Sequence, residues 1–129
     1  MDASYIKLLR EIAHNCEMLS ERVMDLDRKN NDAHGLEVAT QMRNDYAHLY
    51  DRMRADNFDY HTLTRNDFLK LLAGTYITVN NFDDQIKTLQ RANQGYRLNV
   101  VPKLQRIMEE TQDDESALNL ADEIFKVSD

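Results

Sequence analysis

The chain predicts an all-α protein, an antiparallel up-down helical bundle of about four to five helices with coiled-coil-like packing. Two observations carry this expectation. First, three stretches space their core-type residues alternately three and four apart. They are Tyr5-Leu9-Ile12-Cys16-Leu19-Val23-Leu26, Ala39-Met42-Tyr46-Leu49-Met53, and Phe68-Leu72-Thr75-Val79-Phe82-Ile86-Leu89-Asn93-Tyr96. That repeat gives each helix one apolar seam suited to knobs-into-holes packing. Second, one Pro and three Gly in 129 residues leave little material for the turns of a β-rich fold.

Helix 1 is expected to start near Asp2 or Ser4, either of which can cap its free N–H groups, and to end near Lys29. Arg28 and Lys29 suit the negative end of the helix dipole. Asn30-Asn31-Asp32 is a short polar connection with Asp32 as N-cap of helix 2, which makes the first two helices an antiparallel hairpin. Helix 2 is expected to reach about Asp56, followed by a loop from Asn57 to Thr64 whose Phe58 and Tyr60 fold back onto the bundle. Thr64 and Asp67 have the spacing of a capping box. From there helix 3 is expected to run from Arg65 to about Gln94, with Thr75 and Asn93 as polar seam residues that set register. Gly95 suits a C-cap and Asn99 an N-cap of helix 4, with Pro102 in its first turn. The acidic run Asp113-Asp114-Glu115 breaks the chain and starts a last helix with Ala117, Leu118, Ala121, Ile124 and Phe125 inside.

By length, residues 1–129 form a single helical-bundle domain. The net charge of −7 lies entirely in the C-terminal segment: residues 109–129 hold eight acids against Lys126 alone, while residues 1–108 hold fifteen of each sign. No dense basic patch exists, so duplex DNA is not an expected partner. The single Cys16 cannot close an internal disulfide and reads as a small buried thiol in a reducing compartment. No signal peptide is expected from the N-terminus, and no apolar run approaches a membrane span. The expected location is therefore cytoplasmic, with no membrane contact.

The most specific local feature is Arg43-Asn44-Asp45-Tyr46-Ala47-His48-Leu49-Tyr50, an R-N-x-x-x-H-x-Y pattern. It resembles the signature of HEPN-domain ribonucleases, including the toxins of HEPN–nucleotidyltransferase pairs. The resemblance covers eight residues. It implies a metal-independent RNA-cleaving site in an all-α bundle, usually assembled across a dimer, with RNA as substrate. On that pattern Arg43 would stabilise the phosphate, His48 would act in acid–base catalysis, and Asn44 and Tyr50 would assist. Cutting RNA through its 2′-OH needs a side chain of the imidazole type for proton transfer and a cation for the phosphorane charge. The motif lies in the second helix here, whereas the family usually carries it late in the domain. At about 100° per residue, Arg43 and His48 point roughly 140° apart, with Arg43 beside the seam and His48 toward solvent.

Glu11-x-x-His14 and Asp45-x-x-His48 have the i, i+3 spacing of di-iron bundles, but the seam phase points both histidines outward and no further core Glu is present. His34 and His61 have no evident partner. No phosphate loop, nucleophile elbow or zinc spacing occurs, so neither a metal nor a cofactor is expected. Most of the methionines sit on or beside apolar faces and read as core. The sequence thus favours a non-enzymatic protein that acts through a protein partner or through self-association. A homodimer would need an apolar stripe wider than one seam, to which Leu8, Met18 and Met24 on helix 1 point. The competing reading is a HEPN-like ribonuclease using Arg43 and His48.

Overall fold

A computed structural model describes residues 1–82 and 99–126 of the chain. The described residues are all-α: α1 (Ala3–Lys29), α2 (Ala33–Met53), α3 (Arg65–Phe82), α4 (Val101–Glu110) and α5 (Asp114–Ile124), with a short 3-10 helix at Tyr60–Thr62. Helices pack on helices, as the seams predict. The expected course of helix 3 beyond Phe82, the seam side chains from Val79 to Tyr96, and Gly95 lie outside the described residues. The chain divides into two compact units, Met1–Leu9 with Asp59–Asp129, and Arg10–Phe58. No helix among the described residues is long and apolar enough to cross a membrane.

The unit Arg10–Phe58 is a helical hairpin. Its turn is built from local chemistry: Asn31 takes the left-handed conformation at φ 54°, which Asn tolerates better than most residues. Asp32 then caps α2, its carboxylate accepting the Gly35 N–H at 2.9 Å. Gly35 leaves room for this cap, because a Cβ would lie 2.5 Å from that same carboxylate and displace it. The two helices run antiparallel, with Gly35 beside Asp27 and the Tyr50 ring against His14. Ile12, Ala13, Cys16, Ser20 and Met24 of α1 and Ala39, Tyr46, Leu49 and Met53 of α2 are buried. Ser20 meets its polar need locally, donating to the Cys16 carbonyl at 2.7 Å. Burial pushes the Tyr46 hydroxyl's pKa well above its ordinary value, so it stays neutral.

The predicted α1 seam holds through Cys16 and then fails. Beyond Cys16 the buried line steps by four to Ser20 and Met24, while Val23 and Leu26 are 47% and 56% exposed. A helix with about 3.6 residues per turn drifts away from a 3.5-residue repeat, so the inward line leaves the predicted one. Met24 accordingly belongs to the core and not to a wider stripe, and Met18 is exposed. Helix 2 stops at Met53, short of Asp56: the Arg54 N–H closes on the Tyr50 carbonyl, and Phe58 bonds back to Ala55.

In the other unit, α3, α4 and α5 pack on one another. The capping box at the start of α3 is reciprocal: Thr64 N–H donates to the Asp67 carboxylate at 2.9 Å, and Asp67 N–H donates to the Thr64 hydroxyl at 3.1 Å. Arg65 ties three helices together. Its guanidinium donates to the Met108 and Thr111 carbonyls at 2.9 and 3.1 Å, and its N–H donates to Asp114 at 2.8 Å. Two of the free carbonyls that end α4 are thereby satisfied by a cation, the charge a helix C-terminus favours. Thr75 is buried and donates to the Leu71 carbonyl at 2.7 Å, a structural polar residue.

Asn99 does not cap α4. Val100 occupies that place with no side-chain hydrogen bond, and Asn99 and Val100 form a wide helical turn leading into α4. The acidic run ends α4 and starts α5 as expected, with Asp113 accepting from Ser116 N–H at 2.7 Å. Ala117, Ala121 and Phe125 are fully buried, so the acidic last helix packs on this unit. Small Ala side chains let it approach its neighbours closely, and the Phe125 ring lies 5.2 Å from that of Tyr5. Tyr5 in turn accepts a bond from Lys103 at 2.5 Å.

Candidate functional site

The hairpin unit presents two different sides. On one, Arg43 lines a polar cleft of about 220 Å³ with Glu21, Met24, Asp25 and Arg28. Arg43 Nε is buried there without a hydrogen-bond partner, and Asp25 pairs with Arg28 at 3.0 Å. Farther along the same side the His14 ring lies 4.5 Å from the Tyr50 ring, and the Arg54 guanidinium sits 5.5 Å from the centre of Tyr50. His14 is only partly outward: its side chain is 45% exposed, its ring leans at a tilt against Tyr50 of α2, and its Nδ1 is buried 3.8 Å from Glu17. The outward phase expected for His14 agrees with this exposure, and the contact with Tyr50 comes from the neighbouring helix.

The R-N-x-x-x-H-x-Y residues occupy different surfaces. Arg43 faces the cleft with its two carboxylates, Tyr50 is half-buried against His14, and Asn44 and His48 are exposed. Within one hairpin Arg43 and His48 do not converge, as their angular separation predicts. The carboxylates of Glu21 and Asp25 also oppose a phosphate at Arg43. His61, expected to be alone, has a partner: its Nδ1 lies 2.7 Å from Asp59, and its ring stacks on Tyr60 at 4.2 Å. Hydrogen bonds from His61, the backbone N–H first, hold the Asp59 carboxyl below its ordinary pKa. Among the described residues no three His, Cys, Asp or Glu side chains gather to hold a metal.

The other side of the hairpin is apolar. Leu19 is half-buried and Val23 and Leu26 are exposed on α1, while Val38 is 48% exposed and Met42 half-buried on α2. At about 100° per residue, Leu19, Val23 and Leu26 share an arc of roughly 60° that flanks the α2-facing line of Ser20 and Met24. Val38 and Met42 lie on the matching flank of α2, away from Arg43. The result is one apolar strip across both helices near the turn.

The sequence assigns Leu19, Val23 and Leu26 to the inner seam of α1 and Met42 to that of α2, and does not single out Val38. The available signal was that α1 carries two apolar lines beyond Cys16, one through Met24 and one through Val23, and a hairpin partner covers only one. No family model, no curated protein and no solved structure matches the chain.

Proposed function

We propose that this chain is a small, non-enzymatic, cytoplasmic helical-bundle protein that works by protein–protein contact, with the apolar strip of the α1–α2 hairpin as its contact surface. The observation that supports the reading is the joint exposure of Val23, Leu26 and Val38 beside half-buried Leu19 and Met42. A contiguous apolar patch rimmed by polar residues is the usual mark of an interaction site. Covering it gains about 25 cal/mol per Å² of apolar surface removed from water. The test is chemical cross-linking in the native source with wild-type chain beside Val23→Glu. A defined cross-linked species that disappears in the variant supports the reading. An identical pattern for both chains overturns it.

A second reading rests on the R-N-x-x-x-H-x-Y motif and on the exposure of Asn44 and His48, which leaves them open to a substrate. It is a HEPN-like, metal-independent ribonuclease in which Arg43 of one chain works with His48 of another. RNA cleavage in EDTA that is lost in His48→Ala with the fold intact would establish it. No cleavage by the wild type would remove it.

A further inference from the structure

We infer that the occupant of the hairpin strip is a second copy of this chain, joined about a two-fold axis parallel to the helices so that α1 of each copy lies on α2 of the other; this rests on the contact reading above. The strip alone would not choose its partner. Its edges do. The α1 edge carries exposed Arg22 and Lys29, and the α2 edge carries exposed Glu37 and half-buried Asp45, whose carboxylate holds the Gln41 amide at 3.1 Å. One edge is therefore basic and the other acidic, on a single apolar strip.

Two arrangements bring such a strip face to face with itself. A dyad perpendicular to the helices lays α1 on α1 and sets Arg22 and Lys29 against their own copies. A dyad parallel to the helices lays α1 on α2 and sets the basic edge of each copy along the acidic edge of the other, twice. Like charges across an interface are unfavourable and opposite ones set orientation, so the charge pattern selects the second. The levels also agree. Met24 shares a cleft with Arg43, and Asp27 lies beside Gly35, so Val23 stands level with the Val38–Met42 stretch of α2. A parallel dyad keeps levels unchanged, which puts Val23 opposite the apolar part of the partner's α2. The product is a four-helix arrangement with an apolar centre and two mixed-charge seams, the geometry that heptad edges favour.

The test is sedimentation of the full chain from about 1 to 100 μM, a range that spans ordinary dimer constants. Wild type is expected to pass from one to two chains. Val23→Glu is expected to weaken this at least 100-fold with an unchanged helical spectrum, since Val23 is exposed and its loss removes no core contact. Glu37→Arg is expected to weaken it several-fold, and Arg22→Glu in the same chain to restore it. A one-chain mass at every wild-type concentration overturns the second copy as occupant, and so does a dimer indifferent to Val23→Glu. A dimer in which the double charge swap fails to restore what Glu37→Arg loses overturns the parallel dyad. A purely monomeric wild type that still loses a cross-linked species in Val23→Glu in the native source would leave the broader contact reading standing, so the two failures are separable.

Discussion

Replacing Arg43 by Met separates the two readings of its helix. Arg43 Nε is buried without a partner, and an unsatisfied buried donor costs about 1–3 kcal/mol. Against this stands the attraction of the guanidinium to Glu21 and Asp25 in an open cleft, worth about 0–1 kcal/mol per partly exposed pair. Met keeps the apolar stem that packs beside Met24 and removes the orphaned donor. The two contributions oppose, so Arg43→Met is expected to change stability by no more than about 1 kcal/mol, on the stabilising side if the orphan dominates. Arg43→Glu places a third carboxylate in the cleft and is expected to cost about 1–2 kcal/mol. Urea unfolding followed by circular dichroism measures both. A loss above about 2 kcal/mol in Arg43→Met would refute the reasoning, because Arg43 would then hold the cleft together through pairing. Neither substitution touches the apolar strip, so both variants are expected to associate as the wild type does.

Three further outcomes follow from the described contacts. Arg65→Ala removes two charge-assisted bonds from the end of α4 and is expected to cost about 2–3 kcal/mol in urea unfolding, with Arg65→Lys recovering only part because one ammonium cannot match the forked guanidinium. Gly35→Ala forces the Asp32 carboxylate off its capping position and is expected to cost about 1 kcal/mol by the same assay, close to the loss in Asp32→Ala. Asp59 and Asp113 have carboxyl pKa values below the ordinary one because backbone N–H groups donate to their charged forms, those of His61 and Ser116 respectively. A depressed folded pKa means their contribution is present above the unfolded value near 3.9 and is lost as pH falls through the folded values. Melting temperature is expected to fall below about pH 4, and less steeply in Asp113→Asn, which keeps a capping oxygen that does not titrate.

Where the determining chemistry is local, the sequence was legible. Asp32 as cap, the Thr64–Asp67 box, the end of α1 at Lys29 and the break at Asp113 each depend on residues within four positions of one another. Four of the five α2 seam residues, Ala39, Tyr46, Leu49 and Met53, are buried, while Met42 is half-buried on the flank that carries the strip. What failed was the far half of α1. Leu19, Val23 and Leu26 carry the periodicity of a core, but periodicity marks an apolar line and not what covers it. The hairpin turn rotates Ser20 and Met24 toward α2 and leaves the other line uncovered. His14 is partly exposed as its phase predicts, but its contact with the Tyr50 ring depends on another helix and so was not legible from α1 alone. In the R-N-x-x-x-H-x-Y motif the phase was read correctly: Arg43 flanks the seam and His48 is exposed.

The most direct measurement is thiol labelling of two single-site variants, Val23→Cys and His48→Cys. Cys16 is buried and serves as an internal monitor of unfolding. If the apolar strip is the working surface, Val23→Cys labels quickly in dilute purified chain and slowly at high concentration or in native extract, while His48→Cys labels quickly throughout. If Val23→Cys labels as fast as His48→Cys under every condition and Cys16 remains protected, the strip stays open to water and contact through it is contradicted.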